Sequence, residues 1–119
     1  MSKSYQQFLK ENSGKTAVYT FGRFNPPTIG HEKLLRVVQT TSTKEGGDYF
    51  IYTSHSQDSK KNPLTHKQTI HFLKLIFPKH RPYVEDSLSK TALEAASEIY
   101  DKSGYSKLVM VVGSDRVSD

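Results

Sequence analysis

Short apolar runs alternate with helical stripes along almost the whole chain, and no other feature restricts the fold as strongly. Residues 16–21 (TAVYTF) are β-branched and aromatic and close at Gly22, as a buried strand does. Beyond Pro26-Pro27, Leu34, Leu35 and Val38 recur at helical spacing to about Gln39, and Gly46-Gly47 break the chain. Residues 49–53 (YFIYT) form a second strand candidate. In residues 65–77 (THKQTIHFLKLIF), Thr65 and Gln68 have capping-box spacing, Ile70, Leu73, Ile76 and Phe77 lie along one stripe, and Pro78 stops the helix. Tyr83-Val84-Glu85 reads as a short strand. Ala92, Leu93, Ala96, Ile99 and Tyr100 mark a helix that Ser103-Gly104 end, and residues 108–112 (LVMVV), the most apolar run, are expected to be a central strand bounded by Gly113. Ahead of all these, Tyr5, Phe8 and Leu9 share one side of a short helix, so residues 1–14 read as an N-terminal helical arm.

Strand, helix, strand, helix, strand, helix, strand is the pattern of an α/β fold, a Rossmann-like doubly wound parallel sheet covered by helices on both faces. At 119 residues the chain is expected to be one domain, 1–119. Ligands of such folds sit at the carboxyl ends of the strands. Three polar segments fall there, 22–31, 54–65 and 113–119, and they carry the candidate chemistry.

A net charge of +5 and a pI near 9.4 favour anionic ligands such as nucleotides and phosphorylated metabolites. Nucleic acid is the weaker reading, because Lys60-Lys61 and Lys79-His80-Arg81 are the tightest basic groups and solvated surface accounts for them. With no cysteine, disulfide scaffolds, thiol nucleophiles and Cys-ligated zinc are excluded, in keeping with a cytoplasmic protein. No run of apolar residues is long enough to cross a membrane, and the N-terminus lacks the apolar core of a signal peptide.

The first of the three loops reads FGRFNPPTIGH, residues 21–31. Thr28 occupies the expected N-cap of the following helix, whose first turn carries His31, so unpaired backbone N–H groups and the positive end of the helix dipole are expected to face the loop. Gly22 permits a sharp turn after the strand, Pro26 and Pro27 stiffen the connection, and Gly30 removes a side chain where a phosphate would approach. His31 is then placed to donate to a phosphoryl oxygen as charge builds in a transition state.

FGRFNPPTIGH resembles the [H/T]-x-G-H motif of the nucleotidylyltransferase superfamily, and its G-R-F-x-P form is similar to that of archaeal-type nicotinamide mononucleotide adenylyltransferases. NPLT, residues 62–65, resembles the N-P-F-T these enzymes carry after their second strand, and Gly113-Ser114-Asp115 resembles their Gly-x-Asp. The resemblance spans roughly residues 16 to 116. It implies transfer of a nucleoside monophosphate, AMP or CMP, from an NTP, with ATP the favoured donor, to a small phosphorylated acceptor, with release of pyrophosphate and with Mg2+ on the phosphates. It implies His31 and Thr28 as catalytic residues, and Gly22, Arg23, Phe24, Gly30 and Asp115 as nucleotide-binding residues. His55, Asn62, Thr65, Lys67 and Arg116 are further candidate phosphate or acceptor contacts. No carboxylate cluster in the sequence marks a dedicated metal cage.

Two departures accompany the resemblance. Gln68 and Thr69 stand where the family usually has Glu-Arg, leaving Lys67 as the substitute cation, and no Ile-Ser-x-Thr-x-x-Arg-like segment follows the last strand. The chain is therefore expected to be C-terminally truncated, lacking the last strand and helix, or completed differently, or inactive. A nucleotide-binding module without catalysis and an RNA-associated domain are the alternative functions, and an uncovered sheet would favour a homo-oligomer. Two further signals are set aside. Gly14-Lys15-Thr16 resembles the end of a P-loop, but Leu9 stands where that motif needs glycine. His66 and His71 lie about 140° apart round a helix and read as solvated residues, not as a zinc pair.

Overall fold

The computed structural model describes residues 14–55, 62–102 and 104–113. Its elements run β1 (Lys15–Gly22), α1 (His31–Glu45), β2 (Asp48–Thr53), α2 (His66–Ile76), a 3-10 helix (Pro78–Tyr83), α3 (Ala92–Tyr100) and β3 (Tyr105–Met110). The three strands are parallel in the order β2-β1-β3, an α/β fold consistent with a Rossmann-like arrangement. The helical arm expected before residue 15 lies outside the described residues.

Alternation along β1 and β2 divides the core. Val18 of β1 and Tyr49 and Ile51 of β2 face α1 and α2, where they pack with Leu35, Val38, Ile70, Leu73 and Phe77. Ala17, Tyr19 and Tyr52 point the other way and meet Ala95 and Ile99 of α3. Both faces of the sheet are thus covered by helix, as parallel sheets require. Two glycines have visible reasons. Gly46, at φ 69°, ends α1 in the left-handed conformation, and a Cβ on Gly47 would sit 1.8 Å from the carbonyl oxygen of Thr16.

Several sequence expectations shift, each for a physical reason. α1 runs six residues past Gln39, because Ser42 and Thr43 donate their hydroxyls back to the Gln39 carbonyl and so spend their polar groups inside the helix. Tyr83-Val84-Glu85 is not a strand but a single parallel bridge between Val84 and Ile51, since the 3-10 turn with Pro82 holds the chain until Tyr83. The run expected to be a central strand is an edge strand among the described residues, and its ladder begins three residues earlier, at Tyr105. There Tyr105 donates to Asp48 at 2.6 Å and Lys107 pairs with Glu45. Leu108, Met110 and Val112 stay 36, 38 and 39% exposed, so hydrophobicity alone did not locate the middle of the sheet. On α3 it is Ala95 and Ile99 that are buried, while Leu93 and Tyr100 are exposed.

Candidate functional site

The loop from β1 to α1 lies at the carboxyl end of the middle strand. Its start is tied to β2: Ser54 N–H donates to the Gly22 carbonyl at 2.9 Å and the Thr53 hydroxyl to the Arg23 carbonyl at 3.2 Å. Phe24 then takes a left-handed conformation, φ 46°, which costs a non-glycine residue about 1–3 kcal/mol. Burial offsets that cost. Its ring is 2% exposed, belongs to the α1 and α2 side of the core, and lies across Gly22, where a Cβ would come within 2.9 Å of it. Gly22 is therefore small to admit the Phe24 ring, while the sharp turn expected of it falls at Phe24. The Asn25–Pro26 peptide that follows is cis.

His31 is the first residue of α1, and its ring folds back over the loop. Thr28 N–H donates to His31 Nδ1 at 2.9 Å, and the Thr28 hydroxyl lies 3.4 Å from the same nitrogen. An Nδ1 that accepts leaves the proton of the neutral imidazole on Nε2, the far side of the ring from Thr28. The Phe24 ring supports the imidazole edge-on, with centroids 4.8 Å apart. One core residue thus positions both the backbone turn and the catalytic candidate.

The helix start differs from expectation. Gly30, not Thr28, is the N-cap, and no side chain caps it. The expected set of unpaired amides is also smaller, because His31 N–H and Glu32 N–H close a tight turn onto the carbonyls of Thr28 and Ile29, and Thr28 N–H is taken by His31. The amides of Ile29 and Gly30 keep no partner among the described residues. These two amides lie at the positive end of α1, the helix that His31 opens. A Cβ on Gly30 would meet only the Thr28 hydroxyl, at 3.6 Å, so the space beside that amide is open. Arg23 is exposed and makes no ion pair among the described residues.

The second loop joins the first directly. Asn25 Nδ2 donates to the Leu64 carbonyl and Asn25 Oδ1 accepts from Leu64 N–H, both at 2.7 Å. Thr65 caps α2 through a complete capping box, with Thr65 Oγ1 accepting from Gln68 N–H and Gln68 Oε1 accepting from Thr65 N–H. The Thr65 hydroxyl is thereby committed to the helix. Lys67 is exposed in the first turn, with no ion pair among the described residues, and Asn62 is buried.

The remaining candidates divide. His55 uses Nε2 to donate to the Ser87 carbonyl at 2.9 Å and stacks face to face on His66, centroids 3.7 Å apart. His66 is thus not the solvated residue the helical spacing predicts. Both its ring nitrogens are buried without a hydrogen-bond partner, Asp86 approaches only to 3.7 Å, and burial followed by the neighbouring His55 holds its pKa below the ordinary histidine value. Stacked rings direct their lone pairs side by side and do not converge on one metal ion. Among the described residues no group of three or more His, Asp or Glu side chains does so. Behind the pair, Glu98 accepts from Tyr52 at 2.8 Å, Ser87 at 2.6 Å and Ser89 at 3.3 Å, tying α3 to β2 and to the segment under His55. Burial opposes the charge on Glu98, but these hydrogen bonds outweigh it and lower its pKa.

Asp115 and Arg116 lie outside the described residues. Their approach is anchored, since Val111 N–H donates to the Tyr19 carbonyl and the Thr20 hydroxyl to the Val111 carbonyl, bringing Gly113 to the carboxyl edge beside β1. Sequence reasoning missed Asn25 and the ring of Phe24. An asparagine in a proline turn carries no linear signal of a partner 39 residues away. No helix among the described residues is long and apolar enough to cross a membrane. In comparison with known proteins, the chain matches no family model, no curated protein and no solved structure.

Proposed function

We propose that the protein is a cytoplasmic nucleotidylyltransferase that moves AMP or CMP from an NTP to a small phosphorylated acceptor and releases pyrophosphate. The observation that carries this reading is the start of α1, where His31, locked by the Thr28 amide with its proton on Nε2, stands beside the unpartnered amides of Ile29 and Gly30. In the transfer, an acceptor phosphate oxygen attacks the α-phosphorus and the bond to the bridging oxygen breaks, so negative charge builds on the phosphoryl oxygens. Donors fixed before the reaction stabilise that charge without reorganising. His31 and the two amides meet it, Thr28 holds the imidazole in register, and Arg23 reaches the acceptor or leaving phosphates. Asp115, beyond Gly113, is the candidate for the nucleoside end.

Mg2+, implied by the resemblance, would accompany the triphosphate and neutralise part of its charge. Pyrophosphate release, measured across NTPs and phosphorylated acceptors including nicotinamide mononucleotide, tests the proposal. Turnover that depends on His31 supports it. ATP binding with no release under any pairing would reduce the protein to a nucleotide-binding module.

A further inference from the structure

We propose that Asn25 is a positioning residue that holds the start of α2 against the His31 loop, so that one triphosphate engages both; the proposal rests on the nucleotidyl-transfer reading. Its side-chain amide presents one donor and one acceptor to the carbonyl and N–H of Leu64, each at 2.7 Å, a pairing that imitates a strand ladder across 39 residues. Only a primary amide at this reach supplies both halves: alanine supplies neither, and aspartate turns a carboxylate oxygen onto the Leu64 carbonyl.

Neither element needs the clamp in order to form. α2 is capped by Thr65 and Gln68 and anchored by buried Ile70 and Leu73, and the start of the first loop is bonded to β2 through Gly22 and Arg23. What the clamp fixes is the distance between two loop ends. Asn25 lies three residues before Thr28, and Leu64 lies three residues before Lys67, whose ammonium makes no ion pair among the described residues. The pair thus couples the donors of α1 to a cation at the start of α2.

The test is a double-mutant cycle read by ATP calorimetry on the whole chain, with pyrophosphate release measured in parallel. Asn25→Ala and Lys67→Ala are each expected to weaken ATP about tenfold, and the double variant is expected to bind no more weakly than Asn25→Ala alone, because coupled contacts do not add. Loss of exchange protection at the Leu64 amide checks that the clamp has opened. If Asn25→Ala does not fold, Asn25→Leu, which is close to asparagine in size and supplies neither half, carries the same cycle. Additive losses, or wild-type affinity in an opened clamp, overturn the proposal, and so does a wild-type protein that binds no ATP. The transfer reading fails separately: ATP binding without pyrophosphate release removes the reaction, while the cycle still decides the coupling.

Discussion

α1 and α2 both begin on a histidine at the carboxyl edge of the sheet, and the two imidazoles have contrary surroundings. His31 lies over a loop, half-buried, with one nitrogen held by the Thr28 amide and the ring edge-on to Phe24. His66 is pressed face to face on His55 with both nitrogens buried and unpartnered. The helix starts around them differ in the same sense. α2 is closed by its own residues, Thr65 and Gln68, whereas α1 has glycine at its N-cap, no side-chain cap and two amides left over. A helix that satisfies its own end is an anchor. One that leaves donors unspent retains the means to bind an anion, at some cost to its own stability.

That contrast is most directly broken by removing the two histidines in turn. His31→Ala should lower turnover about 10²–10³-fold, the loss typical of one transition-state donor, with little change in melting temperature. Steady-state rates and thermal unfolding of the same preparation check both halves, and a variant that turns over like wild type would end the catalytic assignment. His66→Ala should leave the chemical step far less affected.

The capping box offers a smaller effect of the reverse kind. Thr65→Ala should destabilise the protein by about 1 kcal/mol, Thr65→Ser should restore most of it, and urea unfolding measures the pair. Were Thr65 chiefly a phosphate ligand, affinity for ATP would fall further than stability. Gly30→Ala sharpens the other helix start. At φ −59° alanine fits the backbone, so stability should rise by about 0.4–1 kcal/mol through the unfolded chain, while ATP affinity should fall because the new methyl crowds the amide.

The smallest expected effect is on pH. His66 and His80 both have pKa values lowered, in each case first by burial, so the unfolded chain binds more protons than the folded one below the ordinary histidine pKa of 6.5. Stability should therefore decline as pH falls through 6.5, and His66→Gln should flatten that limb. Glu98 adds to the decline only below 4.5, because its lowered pKa stabilises the fold above that value. On the alkaline side Tyr49, pushed up to about 12 first by burial and then by Tyr83, contributes stability that is lost as pH rises from 10 through 12. Denaturant midpoints across pH 2 to 12 follow all three limbs.

Much of this protein was legible in its residues taken in order. The buried strand β1, the stripe positions Ile70, Leu73 and Phe77, the capping box at Thr65 and the glycine stop at Gly46 are local, because each depends on backbone geometry and near neighbours, whereas Ile76, read onto the same stripe, is 39% exposed. The parallel α/β class follows from their order, and the position of His31 at the start of α1 follows from the motif around it. Other features were decided by contacts between distant segments. Among the described residues β3 lies at the edge, despite carrying the most apolar run, because strand order depends on how crossovers pack. The stacking of His66 on His55, the support of His31 by Phe24 and the clamp from Asn25 to Leu64 join parts of the chain that no local pattern relates. Periodicity determines which face a side chain occupies, whereas the partner it meets there depends on where the rest of the sheet brings another loop.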